Sequence, residues 1–163
     1  MLQHLPELVD PLALADKRRQ FKGSLPLAKL SRLQDVLSNR VGEVRFELNF
    51  GKEGKIAAVQ GRVEAELELQ CQCCLQPVQW RVDSVVRLGI VKSIDEANLL
   101  PESFEPLLLE EEIIPLADIV QEELLLAIPT IPQHPQCDGV LTIREKPKNE
   151  RENPFAVLAD LIN

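Results

Sequence analysis

Cys71 and Cys74 are separated by two residues, and His134 and Cys137 repeat that spacing roughly sixty residues later. Each pair can place two ligands on one tight turn. Together they make the four-ligand set of thiolate and imidazole that a structural zinc ion prefers. The pattern predicts one structural zinc held by Cys71, Cys74, His134 and Cys137, joining two distant stretches of the chain. Spacing alone leaves two other readings open. Cys71 continues an alternating apolar run, so it can be an inward strand residue, with the remaining cysteines as free thiols. A C-x-x-C pair also lowers a thiol pKa, as a thiol oxidoreductase requires, although no βαβ pattern surrounds this one.

The charged residues suggest binding rather than catalysis. Net charge is −8, which argues against a general nucleic-acid binder, since phosphate attraction supplies most non-specific affinity. The charges are unevenly spread: residues 1–62 carry 11 Lys and Arg against 7 Asp and Glu, whereas residues 63–163 carry 7 against 19. A basic set, Lys17, Arg18, Arg19, Lys22, Lys29 and Arg32, is a candidate for RNA phosphate contact, and a solvated helix surface is the plainer reading. Glu110, Glu111 and Glu112 belong to an acidic run that could dock a basic protein or basic tail, or serve only as a soluble loop. Phe155, Leu158 and Leu161 form an apolar stripe that either packs on its own domain or enters a partner's groove. The chain contains no Gly-rich phosphate loop, no H-E-x-x-H and no G-x-S-x-G, so it is expected not to be an enzyme. Its N-terminus lacks the basic start and apolar core of a signal peptide, and its apolar runs are too short to span a bilayer. A cytoplasmic location and no membrane partner are expected.

These residues need a scaffold, and the middle of the chain supplies the clearest one. Val44, Phe46, Leu48 and Phe50 alternate with polar residues, as do Val63, Ala65, Leu67, Leu69 and Cys71. The pattern recurs at Val78, Trp80 and Val82 and again at Val86, Leu88 and Ile90. Period two over successive segments predicts antiparallel strands with one wet face, joined as a meander through turns at 51–54 and 74–77. Residues 1–23 are expected to be extended, because Pro6 and Pro11 oppose an early helix. A helix is expected over 26–38 with Ser24 as its cap, and another after Pro115, carrying Leu116, Ile119, Val120, Leu124 and Ala127 on one face and Glu122 and Glu123 on the other. The segment 95–112 between them reads as an acidic, Pro-containing connection. The fold class is α+β: an antiparallel meander covered by two helices over residues 1–143. Residues 144–163 then form a polar flexible linker and a short C-terminal helix.

Four stretches, taken together, resemble the YceD family. They are Asp10-Pro11-Leu12-Ala13 running into Ala15-Asp16-Lys17-Arg18, LELQCQCCLQPVQW at 67–80, LPESFEPLLLEEEIIPLADIVQEELLLAIPTIP at 100–132, and NPFAVLADL at 153–161. The resemblance implies a ribosome-biogenesis factor, not an enzyme, that supports the synthesis, processing or stability of large-subunit (23S) ribosomal RNA or its precursor, and it implies a basic large-subunit ribosomal protein or assembly factor as the partner of the acidic run Glu110, Glu111 and Glu112. The alternative is a small zinc-binding adaptor or regulatory protein with no RNA role.

Overall fold

The computed structural model describes residues 5–137. In chain order they form β1 (Leu8–Val9), α1 (Pro11–Asp16), β2 (Gln20–Pro26), β3 (Leu37–Asn39), β4 (Glu43–Glu53), β5 (Ile56–Gln70) and β6 (Pro77–Val91). These are followed by α2 (Ile94–Asn98), β7 (Glu105–Leu108), β8 (Ile114–Pro115) and α3 (Leu116–Ala127). The fold is mixed α and β, with most of its ordered residues in one open sheet. The expected linker and C-terminal helix of 144–163, with Phe155, Leu158 and Leu161, lie outside the described residues.

The sheet runs β2-β4-β5-β6-β7, and β3 pairs with the far end of β5 beyond the reach of β4. Strands β4, β5 and β6 are consecutive antiparallel neighbours, whereas β7 joins β6 in parallel. Register places the apolar alternation of all three long strands on one face. Phe46 lies opposite Val63, which lies opposite Ser84; Phe50 lies opposite Val59, which lies opposite Leu88. That face is covered by α1, by two 3₁₀ turns at Leu27–Lys29 and Ser31–Leu33, and by α3, all within one apolar core. Between Leu48 and Val86 the row is completed by Gly61, where any Cβ would collide with the carbonyl oxygen of Glu47 on the neighbouring strand.

Several expectations are corrected. Residues 11–16 are helical, because Pro11 occupies the first helical position, where its missing N–H costs nothing, and the Asp10 carboxylate accepts from Ala13 N–H at 2.9 Å. The helix expected over 26–38 does not form. Ser24 pairs within β2, and Leu27, Leu30 and Leu33 recur at intervals of three, the period of the 3₁₀ turns that bury them. The two segments read around 78–90 are one strand, continuous through an inward-facing Ser84. The acidic connection contains α2, capped by Ser93, and the edge strand β7. Glu122 is exposed as expected, but Glu123 is buried with the apolar face of α3.

Candidate metal centre

Two loops converge at one end of the β5–β6 hairpin. The first is the hairpin turn itself. Cys71 N–H donates to Gln76 O and Leu75 N–H donates to Cys71 O, both at 2.9 Å, which folds 71–76 tightly enough to bring Cys71 and Cys74 together. Closing that turn forces Leu75 to a positive φ of 62°, a conformation that costs a non-glycine residue roughly 1–2 kcal/mol. The second loop follows α3. Pro129 pushes Ile128 into an extended conformation and ends the helix. The chain then crosses to the hairpin, where Gln72 N–H donates to Pro132 O at 2.8 Å and the Trp80 indole N–H donates to Ala127 O at 3.1 Å.

The crossing brings all four expected ligands into one cluster. The Sγ atoms of Cys71, Cys74 and Cys137 and a ring nitrogen of His134 lie within 4.8 Å of one another. Cys71 Sγ and Cys137 Sγ are 3.6 Å apart, and Cys74 Sγ is 3.5 Å from His134 Nδ1. A tetrahedral zinc ion, with bonds of about 2.3 Å to sulfur and about 2.0–2.1 Å to nitrogen, spaces its ligands roughly 3.6–3.8 Å apart. The cluster therefore fits such an ion with little movement. His134 Nε2 is 3.0 Å from the carbonyl oxygen of Pro77. A carbonyl only accepts, so the ring proton sits on Nε2 and Nδ1 faces the sulfurs with its lone pair free.

The electrostatics of the cluster point the same way. Burial raises the Cys71 thiol pKa. Backbone N–H groups of Cys74, Cys73 and His134, together with the Cys137 thiol, converge on its sulfur and overturn that effect, bringing the pKa down to about 5. Cys137 is raised instead, by donating toward Cys73, by burial and by the neighbouring Cys71 and Cys74 sulfurs. The cluster thus favours negative charge on Cys71 over Cys137. Cys73 stands outside the four and points to Cys137 O at 3.5 Å. The four cysteines are free of disulfides.

The other expected site residues are dispersed. Lys17, Arg18 and Arg19 form the turn after α1, Lys22 lies on β2, and Lys29 and Arg32 lie on the 3₁₀ turns. Lys22 is paired with Glu47 at 3.1 Å and Arg32 with Glu122 at 2.6 Å. The outer face of the sheet interleaves charges of both signs, as in Arg45–Glu43, Arg62–Asp83 and Arg87–Glu53. Glu110, Glu111 and Glu112 are exposed between β7 and β8. The spacing of the cysteines could not reveal the role of Pro77, whose carbonyl fixes the imidazole, or of Pro132, whose carbonyl ties the two loops.

The family described as large ribosomal RNA subunit accumulation protein YceD matches residues 59–162, a span that includes nearly all of the β5–β6 hairpin, the edge strand, α3 and the whole metal-ligand set. The chain belongs to the YceD family. A relative from Haemophilus influenzae, the large ribosomal RNA subunit accumulation protein YceD, is 31% identical over 166 residues, covering 96% of this chain and 95% of its own length. No solved structure matches the chain. No helix among the described residues of this YceD-family protein is long and apolar enough to cross a membrane.

Proposed function

We propose that this chain sustains the accumulation of large-subunit ribosomal RNA by binding, without catalysis, and that Cys71, Cys74, His134 and Cys137 hold one structural zinc ion. The observation that carries the reading is the near full-length similarity to a relative whose name states that role. The site chemistry supports it. Four protein ligands fill a tetrahedral set and leave no position for water or substrate, which is the arrangement of a structural ion and not of a catalytic one. His134 is the one histidine among the described residues, and both of its ring nitrogens are engaged, so it has no nitrogen left for general-base work.

Direct contact with RNA is assigned to Lys17, Arg18, Arg19 and Lys29, for which no carboxylate partner stands among the described residues. Deleting the gene tests the role: mature large-subunit RNA should fall relative to small-subunit RNA, and unchanged ribosome profiles would refute it. The RNA contact is tested separately with purified protein and a large-subunit RNA fragment. Replacing Lys17, Arg18 and Arg19 with Ala should flatten the dependence of log affinity on log salt by roughly 0.7–0.9 for each phosphate that is no longer neutralised. An unaltered slope removes these residues from the RNA surface.

A further inference from the structure

Between the edge strand β7 and helix α3 runs an open groove of about 570 Å³. Its walls carry six carboxylates: Glu105, Glu110, Glu111, Asp118, Glu122 and Glu123. Against them the described residues set a single cation, Arg32, whose guanidinium is already bound by Glu122 at 2.6 Å. Most of this negative charge is therefore uncompensated. Glu123 makes the point most sharply. Its residue surface is only 5% exposed, and among the described residues its hydrogen-bond partner is the Ser84 hydroxyl, 3.4 Å from Oε2. Burial, then Glu105 and Glu122, push its carboxyl pKa up from the ordinary value.

The groove is also apolar where a solvated acidic surface would be polar. Leu107, Leu108, Ile113 and Leu126 line it, and Ile113 and Leu126 are 54% and 68% exposed. One of its sides is a strand edge without a neighbour among the described residues, where β7 ends the sheet. Leu109 N–H donates to Val91 O, so residues of that parity turn their backbone toward β6, and Pro106 and Leu108 turn theirs to the open edge. Pro106 has no N–H to offer, so this edge presents mainly carbonyl acceptors, which again suit donors.

The geometry points to this groove as the docking site for an extended, basic polypeptide segment of a partner protein, one that alternates cationic and apolar side chains. Cations answer the carboxylates, apolar residues cover the exposed floor, and backbone N–H groups meet the edge carbonyls. Nucleic acid is repelled by the same six carboxylates. The chain's own residues 138–163 carry four cations against five carboxylates and so offer no net positive charge. The assignment stands on the chemistry of the groove and does not require the ribosomal reading.

The test uses the full-length protein and three short labelled peptides: alternating Lys and Val, alternating Lys and Ser, and alternating Glu and Val. The Lys–Val peptide should bind, the Lys–Ser peptide about tenfold more weakly, and the Glu–Val peptide not at all. Glu110→Lys with Glu111→Lys should weaken Lys–Val binding by about tenfold or more, and Leu126→Ser should reduce it also. Glu66→Lys with Glu68→Lys makes the same charge change on the outer face of the sheet and should alter binding by less than about twofold. The assignment is overturned if the Lys–Val peptide fails to bind, if the Lys–Ser peptide binds as well, or if both charge reversals weaken binding equally. A dimer that dissolves on Glu110→Lys with Glu111→Lys would also overturn it, in favour of a second copy of the chain.

Discussion

His134 illustrates how much one side chain is asked to do. Its Nδ1 faces the sulfurs while its Nε2 proton is held by Pro77 O, so the ring is fixed in both tautomer and direction before any ion arrives. His134→Ala should abolish stoichiometric zinc. His134→Cys, which keeps a ligand but not the tie to Pro77, should retain one zinc per chain with affinity about 10–100-fold lower. Metal analysis with a competing chelator measures both, and zinc retained by His134→Ala would exclude this residue as a ligand. Glu123 makes a different prediction. Its folded pKa is raised, chiefly by burial, so the native state binds its proton more tightly than the unfolded chain does. Stability from this group is complete below the unfolded carboxylate pKa and is lost as pH rises through the folded value. Glu123→Gln removes that loss. It should match the parent in thermal stability near pH ~4 and equal or exceed it at about pH 7. A variant that is less stable only at neutral pH would mean that the ionised carboxylate has a stabilising partner.

At the scale of elements, the sheet depends on a close approach between β4 and β5. Gly61→Ala places a methyl group against Glu47 O and should destabilise the chain by about 1–3 kcal/mol, measured by denaturant titration. A neutral effect would show that the strands can separate at no cost. The long strands were legible because one face is buried and the other wet, which writes a period of two into 44–50 and 63–71. The region of 26–38 was not, because Leu27, Leu30, Leu33 and Leu37 satisfy a helical template nearly as well as they do successive 3₁₀ turns entering a strand. Pro11 misled for a related reason: the same residue that forbids a helix interior favours a helix start, and only Asp10 before it decides between them. The burial of Glu123 was in fact encoded. At about 100° per residue it falls roughly 40° from Ile119 and 60° from Val120, inside the apolar stripe of α3. Its acidic side chain alone suggested the outer face.

Across the whole molecule, the metal-ligand set closes a circuit that the sheet leaves open. Helix α3 covers the core, and its last residue accepts from the Trp80 indole through Ala127 O, yet among the described residues the chain beyond it is tied to the hairpin by few hydrogen bonds, chiefly Gln72 N–H to Pro132 O and His134 Nε2 to Pro77 O. The ligands at both ends, Cys71 with Cys74 and His134 with Cys137, were legible as spacing. Their joining of two distant stretches was expected from that spacing; the path that brings them together was not legible, because it depends on where Pro129 ends α3 and on how far the following loop travels. An ion bound there would clamp the covering helix to the sheet through its C-terminal end, so that its binding energy adds to the stability of the whole fold. Chelation should therefore lower the melting temperature cooperatively and not merely free a loop. Trp80, the single tryptophan of the chain, should report the change, because its indole proton loses Ala127 O and meets water. The expected result is a shift of its fluorescence to longer wavelength on zinc removal, reversed by stoichiometric zinc, together with faster amide exchange at Gln72. If chelator leaves the tryptophan emission, the exchange rate and the melting temperature unchanged, the clamp is held by hydrogen bonds and packing alone.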